Sequence, residues 1–162
     1  GLQVGQIVNG KIDWKKRYEF MRMHTSAHVL AAIIFSETKK LITGNQIGYP
    51  ESRMDFDADE SFNESSAKKL EEKTNQELSK NHEVSAYFLP REQAIQKPEL
   101  VRLKDLMPPS LKEWRIIQIG TIDLQADGGT HVKNTREIGK IKIIKTQNKG
   151  KENKRIYWQL QD

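Results

Sequence analysis

The sequence contains no cysteine. Disulfides, thiolate metal ligands and cysteine nucleophiles are excluded together. Long apolar runs are missing as well. The longest, residues 29–35, is far too short to cross a bilayer. No leader pattern of basic, apolar and small-residue regions is visible, so the expected location is cytoplasmic, with no membrane partner. Internal repeats and low-complexity stretches are absent too. Histidine is scarce, with four in 162 residues, so any clustering of it carries information.

What is present suits one folded domain. Hydrophobic residues make up 36% and charged residues 30%, polar for a globular chain but too apolar in its segments for disorder. The net charge of +5 favours a polyanionic partner.

Residues 1–12 alternate loosely between apolar and polar and read as one or two short strands or an extended lead-in. Asp13 is a candidate N-cap. Residues 16–39 follow a three- and four-residue apolar step, and residues 29–35 are apolar nearly all round, which predicts a central helix buried on most sides. Residues 41–48 and 52–56 read as strands joined through Tyr49, Pro50 and Glu51. Residues 63–80 form an amphipathic helix with Ala67, Leu70, Thr74 and Leu78 inward. A strand is expected over residues 83–89, with Val84, Ala86 and Phe88 alternating. A short helix start is expected at 90–94, a further helical turn within 98–106 and a loop at Pro108 and Pro109. Residues 114–124 form the longest strand candidate. Residues 138–146 and 156–160 make a C-terminal hairpin across a lysine-rich linker, 147–154. Strands and helices do not alternate strictly, so the expected class is α+β, a mostly antiparallel sheet packed on the central helix.

That helix carries His24 and His28. Four apart, they share one face and can both reach one metal ion. The glutamate that a zinc peptidase carries after its first histidine is replaced by Thr25, so no general base is built in. About a hundred residues on, Asp127 and His131 flank Gly128 and Gly129. The two clusters read as one metal centre, with Asp127 either a fourth ligand or the group that orients an imidazole while water fills the last position. His82 is assigned no role. Lys133, Arg136, Lys140 and Lys142 follow the second cluster and are candidates for gripping RNA phosphates, and Lys145 continues them. Lys149, Lys151, Lys154 and Arg155 continue the positive run, either as further RNA contacts or as a solvated face.

Several stretches in order carry a family likeness: Asp13 to Tyr18, Met21 to His28, Gln46-Ile47-Gly48, Arg53-Met54-Asp55-Phe56, Gly128 to Val132, Thr135 and Ile138-Gly139. Together they resemble the editing domain of alanyl-tRNA synthetase and the free-standing AlaX proteins that carry it. The threonyl-tRNA synthetase editing domain shares the two-cluster arrangement, but its second cluster resembles Arg-Gly-Pro-His, whereas here it is Gly-Gly-Thr-His. The resemblance implies an aminoacyl-tRNA deacylase over residues 13–162 that removes serine or glycine from tRNA(Ala). Residues 1–12 would then be the end of a preceding barrel. It implies one Zn2+ per chain on His24, His28 and His131, with Asp127 where the family usually has cysteine. It places Thr25 and Gln46 beside the substrate as candidate catalytic residues. A metal-stabilised tRNA-binding module without turnover is the alternative.

Overall fold

Asp13 precedes the first helix with extended backbone, and its carboxylate accepts the Lys16 amide, giving an otherwise unpaired N–H a partner. In the computed structural model, which describes residues 1–59, 61–97, 100, 110–150 and 152–161, this helix, α1, spans Trp14–Thr38. Lys39 ends it in the left-handed region, its amide returning to the Phe35 carbonyl. Met23, Val29, Leu30 and Ile34 are fully buried, so the helix is a core element, as its all-round apolar half predicts. No described helix is long and apolar enough to cross a membrane.

The chain continues through β1 (Ile42–Gln46), β2 (Glu51–Asp57), α2 (Glu64–Ser79), β3 (Val84–Pro90), α3 (Arg91–Ile95), β4 (Glu113–Ile119), β5 (Asp123–Ala126), β6 (Lys140–Gly150) and β7 (Asn153–Gln161). One sheet has the order β1-β2-β7-β6 and the other β3-β4-β5, with every pairing antiparallel. The α+β expectation holds, with the antiparallel strands divided between two sheets.

The main core joins α1 to residues of both sheets, including Phe56, Ile117, Ile119, Ile156 and Trp158. The Trp158 indole donates to Ser26 Oγ at 2.9 Å, and that hydroxyl donates to the Met23 carbonyl. This buried link fixes β7 against the turn of α1 that lies between the two histidines. On α2, Ala67, Leu70, Thr74 and Leu78 are buried, as their spacing predicts. The Asn75 amide exchanges two hydrogen bonds with the backbone of Ile141, and Glu71 accepts the Ile143 amide, so α2 covers the edge of β6.

Several expectations change. Residues 1–12 form no strand. They are extended and exposed, with one turn at Val4-Gly5. The strand expected over 114–124 folds back at Gly120, whose φ of +48° suits glycine, and becomes the β4–β5 hairpin. On β3 the inward face is reversed beyond Val84. Ala86 and Phe88 are exposed, while Tyr87 and Leu89 pack on a small second core of Ala94, Leu100, Trp114, Ile116 and Ala126. The lysine-rich linker is mostly strand, because β6 and β7 pair as far as Gly150 and Asn153. The helical turn within 98–106 and the Pro108-Pro109 loop lie outside the described residues, apart from Leu100, which is buried.

Asp55 on β2 takes a two-pronged bond from Arg155 on β7, at 2.5 and 2.7 Å. The guanidinium outweighs burial and holds the Asp55 carboxyl below its usual range. A carboxyl with a lowered folded pKa stabilises the fold above the unfolded pKa, and the gain is lost as pH falls through the folded value. D55N should therefore cost about 1–3 kcal/mol at pH 7 in urea unfolding, with the gap to wild type closing in acid. An equal gap at pH 7 and pH 2 would contradict this.

Candidate metal centre

The centre is built where α1 meets the end of the β4–β5 hairpin. One turn of helix places the His24 and His28 rings 5.1 Å apart. The chain leaves β5 into a turn that Arg115 clamps from β4. Its guanidinium donates to the carbonyls of Asp127 at 3.0 Å and Gly129 at 2.6 Å, and its own carbonyl accepts the Asp127 amide. Asp127 Oδ1 also accepts the Gly129 amide. The turn thereby carries Asp127 and His131 to the helix.

One donor atom each from His24, His28, Asp127 and His131 lies within 4.8 Å of all the others, the single such cluster among the described residues. Asp127 Oδ2 is 3.4 Å from His24 Nε2 and 3.8 Å from His28 Nε2, and Oδ1 is 3.3 Å from His131 Nε2. Ligands about 2.0–2.2 Å from a tetrahedral zinc ion stand about 3.3–3.6 Å from one another. Two of these separations fall in that range and the third is slightly longer, and the three-nitrogen, one-oxygen donor set suits a divalent metal ion, which His24, His28 and His131 could hold with Asp127.

Two imidazoles are oriented from behind. His28 Nδ1 is 2.8 Å from Asp123 Oδ2, a carboxylate whose side chain is fully buried. A carboxylate only accepts, so the His28 proton sits on Nδ1 and Nε2 faces the cluster. Thr25 does the same for His131. Its hydroxyl donates to the Met21 carbonyl and accepts the Val132 amide, so it meets His131 Nδ1, 3.2 Å away, as an acceptor.

The charges follow. Burial works against charge on His28, but the carboxylates of Asp123 and Asp127 outweigh it and raise the ring to about 9. Burial lowers His131 to about 4, with the neighbouring imidazoles adding to the effect. Burial also opposes ionisation of Asp127, yet His131, His24 and His28 hold its carboxyl far below the ordinary range. A cation entering this site must displace the second His28 proton, the one on Nε2, while the Nδ1 proton stays bonded toward Asp123, so occupancy is linked to pH.

A pocket of about 120 Å3 opens beside the cluster, with His24, His28 and Asp127 on one side. Ala27, Ala31, Phe35, Leu41, Ile42 and Met54 supply apolar wall, and Asn45, Gln125 and Lys40 supply polar groups. Of the sequence candidates, the four metal residues converge. Thr25 is fully buried and lies behind His131 rather than in the pocket lining. Gln46 borders a separate depression with Gly48, Ser52 and Tyr157, and its Oε1 accepts the Arg53 Nε–H. Lys133, Arg136, Lys140 and Lys142 are exposed, and Lys142 pairs with Glu71 at 3.0 Å. In the second basic group, Lys154 is buried against Asn148 and Arg155 is committed to Asp55.

Asp123, Gln125, Asn45 and Arg115 were missed. Asp123 and Gln125 stand two apart and so share one face of β5, but that spacing alone does not reveal what they meet.

Gly129 packs against the His24 ring. A Cβ there would lie 2.3 Å from His24 Cε1 and 2.6 Å from Nδ1. G129A should push that ring out of the cluster and weaken zinc binding at least about tenfold in a chelator competition, with little change in melting temperature. Unchanged affinity would show that His24 is not held by this contact.

Residues 114–157 match the family described as the threonyl and alanyl tRNA synthetase second additional domain. The chain is 43% identical over 157 residues to alanyl-tRNA editing protein AlaX-M of Saccharolobus solfataricus, covering 97% of itself and 65% of that protein. It is 44% identical over its whole length to AlaX-M of Methanosarcina barkeri, covering 67% of that protein. Against the alanine–tRNA ligase of Pyrococcus furiosus it is 33% identical over 145 residues, only 16% of the ligase. The chain thus spans about 65% of the first of these relatives. Identity of 43–44% over nearly the full chain to proteins of one name, against 33% over 88% of the chain for the ligase, shows that it belongs to the AlaX family of alanyl-tRNA editing proteins.

Proposed function

We propose that this chain hydrolyses the ester joining a wrong amino acid, serine or glycine, to the end of tRNA(Ala), at a zinc-dependent centre formed by His24, His28, His131 and Asp127. The observation that carries the reading is the convergence of those four side chains, three of which (His24, His28 and Asp127) line a pocket of amino-acid size, in a relative of proteins named for alanyl-tRNA editing. A cavity of about 150 Å3 holds one benzene ring, so a space near 120 Å3 takes an aminoacyl group and leaves the terminal ribose at the mouth.

When bound, the ion would polarise the ester carbonyl and make water a stronger acid. The residues around it do the rest. Ala27, Ala31 and Met54 keep the aminoacyl side chain small and dry the reacting bond. Asn45 and Gln125 offer amides to a serine hydroxyl or an α-ammonium group. A site that hydrogen-bonds a hydroxyl rejects the analogue lacking it, because its polar group is left unpaired; this separates serine from correctly attached alanine, while glycine is not selected by this contact. Lys40, exposed beside the pocket, is placed to meet the terminal phosphate. Thr25 acts through His131 by fixing which nitrogen carries the proton. Gln46 reaches substrate only through RNA that extends beyond the pocket. Lys133, Arg136 and Lys140 are the exposed cations that would grip the acceptor end, and Lys142 contributes less because Glu71 neutralises it.

Incubation with seryl-tRNA(Ala) should release serine faster than the uncatalysed rate. A chelator should abolish the excess, zinc should restore it, and H131A should return the rate to background. RNA binding that survives H131A with no release by wild type would instead favour a binding module. R136A should weaken tRNA binding by about one charge contact, read as a smaller slope of log affinity against log salt. An unchanged slope would remove Arg136 from the RNA surface.

A further inference from the structure

The buried carboxylate of Asp123 meets both His28 and Gln125. One oxygen meets His28 Nδ1 at 2.8 Å, and the other accepts the Gln125 amide N–H at 2.8 Å. His28 belongs to the metal cluster and Gln125 lines the pocket. A single side chain therefore spans the two parts of the site.

We infer that Asp123 is a positioning residue that sets the metal ligand His28 and the pocket amide of Gln125 together, and that Gln125 contacts the bound aminoacyl group. The inference rests on the metal-dependent editing proposed above. Both donors reach Asp123 as N–H groups, and only a carboxylate offers them two acceptor atoms at once. Asparagine offers one acceptor oxygen, so D123N must release either His28 or Gln125. Gln125 Nε2 is held on its Asp123 side, and Oε1 makes no hydrogen bond among the described residues. That carbonyl oxygen is the acceptor Gln125 brings to a substrate hydroxyl or ammonium. The backbone explains why one residue serves both: Asp123 and Gln125 stand two apart on β5 and point to one face, and Asp127 follows just past the strand's end.

The test uses D123N, D123E and Q125A in the full chain. Cobalt(II) titration followed by visible absorbance reads metal affinity. Nitrogen-15 NMR of the metal-free protein in alkali, where the rings are neutral, reads which His28 nitrogen is protonated. D123N should bind cobalt about 10–100-fold more weakly, the usual effect of removing a partner behind a ligand. Its His28 should change from the Nδ1–H form to a mixture, and D123E should recover part of both signals. Q125A should keep cobalt affinity within about threefold and raise KM for seryl-tRNA(Ala) while kcat changes little. D123N with wild-type cobalt affinity and an unchanged His28 proton would overturn the role of Asp123, and Q125A with unchanged KM would overturn that of Gln125. If D123N fails to fold, D123E decides the first point: a proton displaced from His28 Nδ1 with wild-type cobalt affinity overturns it. Wild-type protein that binds no cobalt would instead refute the metal reading, while the NMR result would still judge the hydrogen bond to His28.

Discussion

Three imidazoles and a carboxylate bring their donor atoms within 4.8 Å of one another in a partly buried site, and this crowding governs the rest of the structure. Four lone-pair donors pointing inward in a medium of low dielectric repel one another unless a proton or a cation lies among them. Without an ion, the balance is struck by ionised Asp127 and by a His28 that keeps its proton well above neutrality, while His131 gives its own up. The hydrogen bonds of Thr25 and Asp123 act at a distance from that centre, yet they decide which lone pairs face it.

The fold meets this demand with stiff parts. Two ligands stand on consecutive turns of a 25-residue helix, capped at both ends and locked to β7 by Trp158. The other two stand on a turn that would be mobile if left alone. Arg115 grips its carbonyls, and a glycine lets the His24 ring lie flat against its backbone. Burial of the helix therefore serves geometry as much as stability, because a loosely packed α1 could not hold two rings within a fraction of an ångström.

Much of this was legible in the residues. Periodicity located α1 and α2, the Asp13 cap marked the start of the first helix, and the spacing of His24, His28, Asp127 and His131 named four side chains that the fold brings together. The failures have physical causes. Alternation of Val84, Ala86 and Phe88 cannot say which face of β3 is covered, because the cover comes from α3 and Leu100 on the opposite face, which leaves Phe88 exposed. A run such as residues 114–124 reads as one strand unless the left-handed backbone at Gly120 is recognised. Polar lysine-rich residues looked like a linker because an exposed hairpin needs no apolar pattern when its partner strand supplies the pairing. Thr25 and Gln46 were named from likeness, and their surroundings depend on contacts over long sequence separations. Asp123 was overlooked because a lone carboxylate in a strand carries no signature until its partner from α1, 95 residues earlier, is known.

β4 has no solvent face along its middle. Trp114 and Ile116 belong to the small core, Ile117 and Ile119 to the large one, and Arg115 stands between them holding the ligand turn. A substitution that repacks the small core therefore acts on the same strand whose Arg115 holds the Asp127 and Gly129 carbonyls, so the small core bears on where Asp127 and His131 stand.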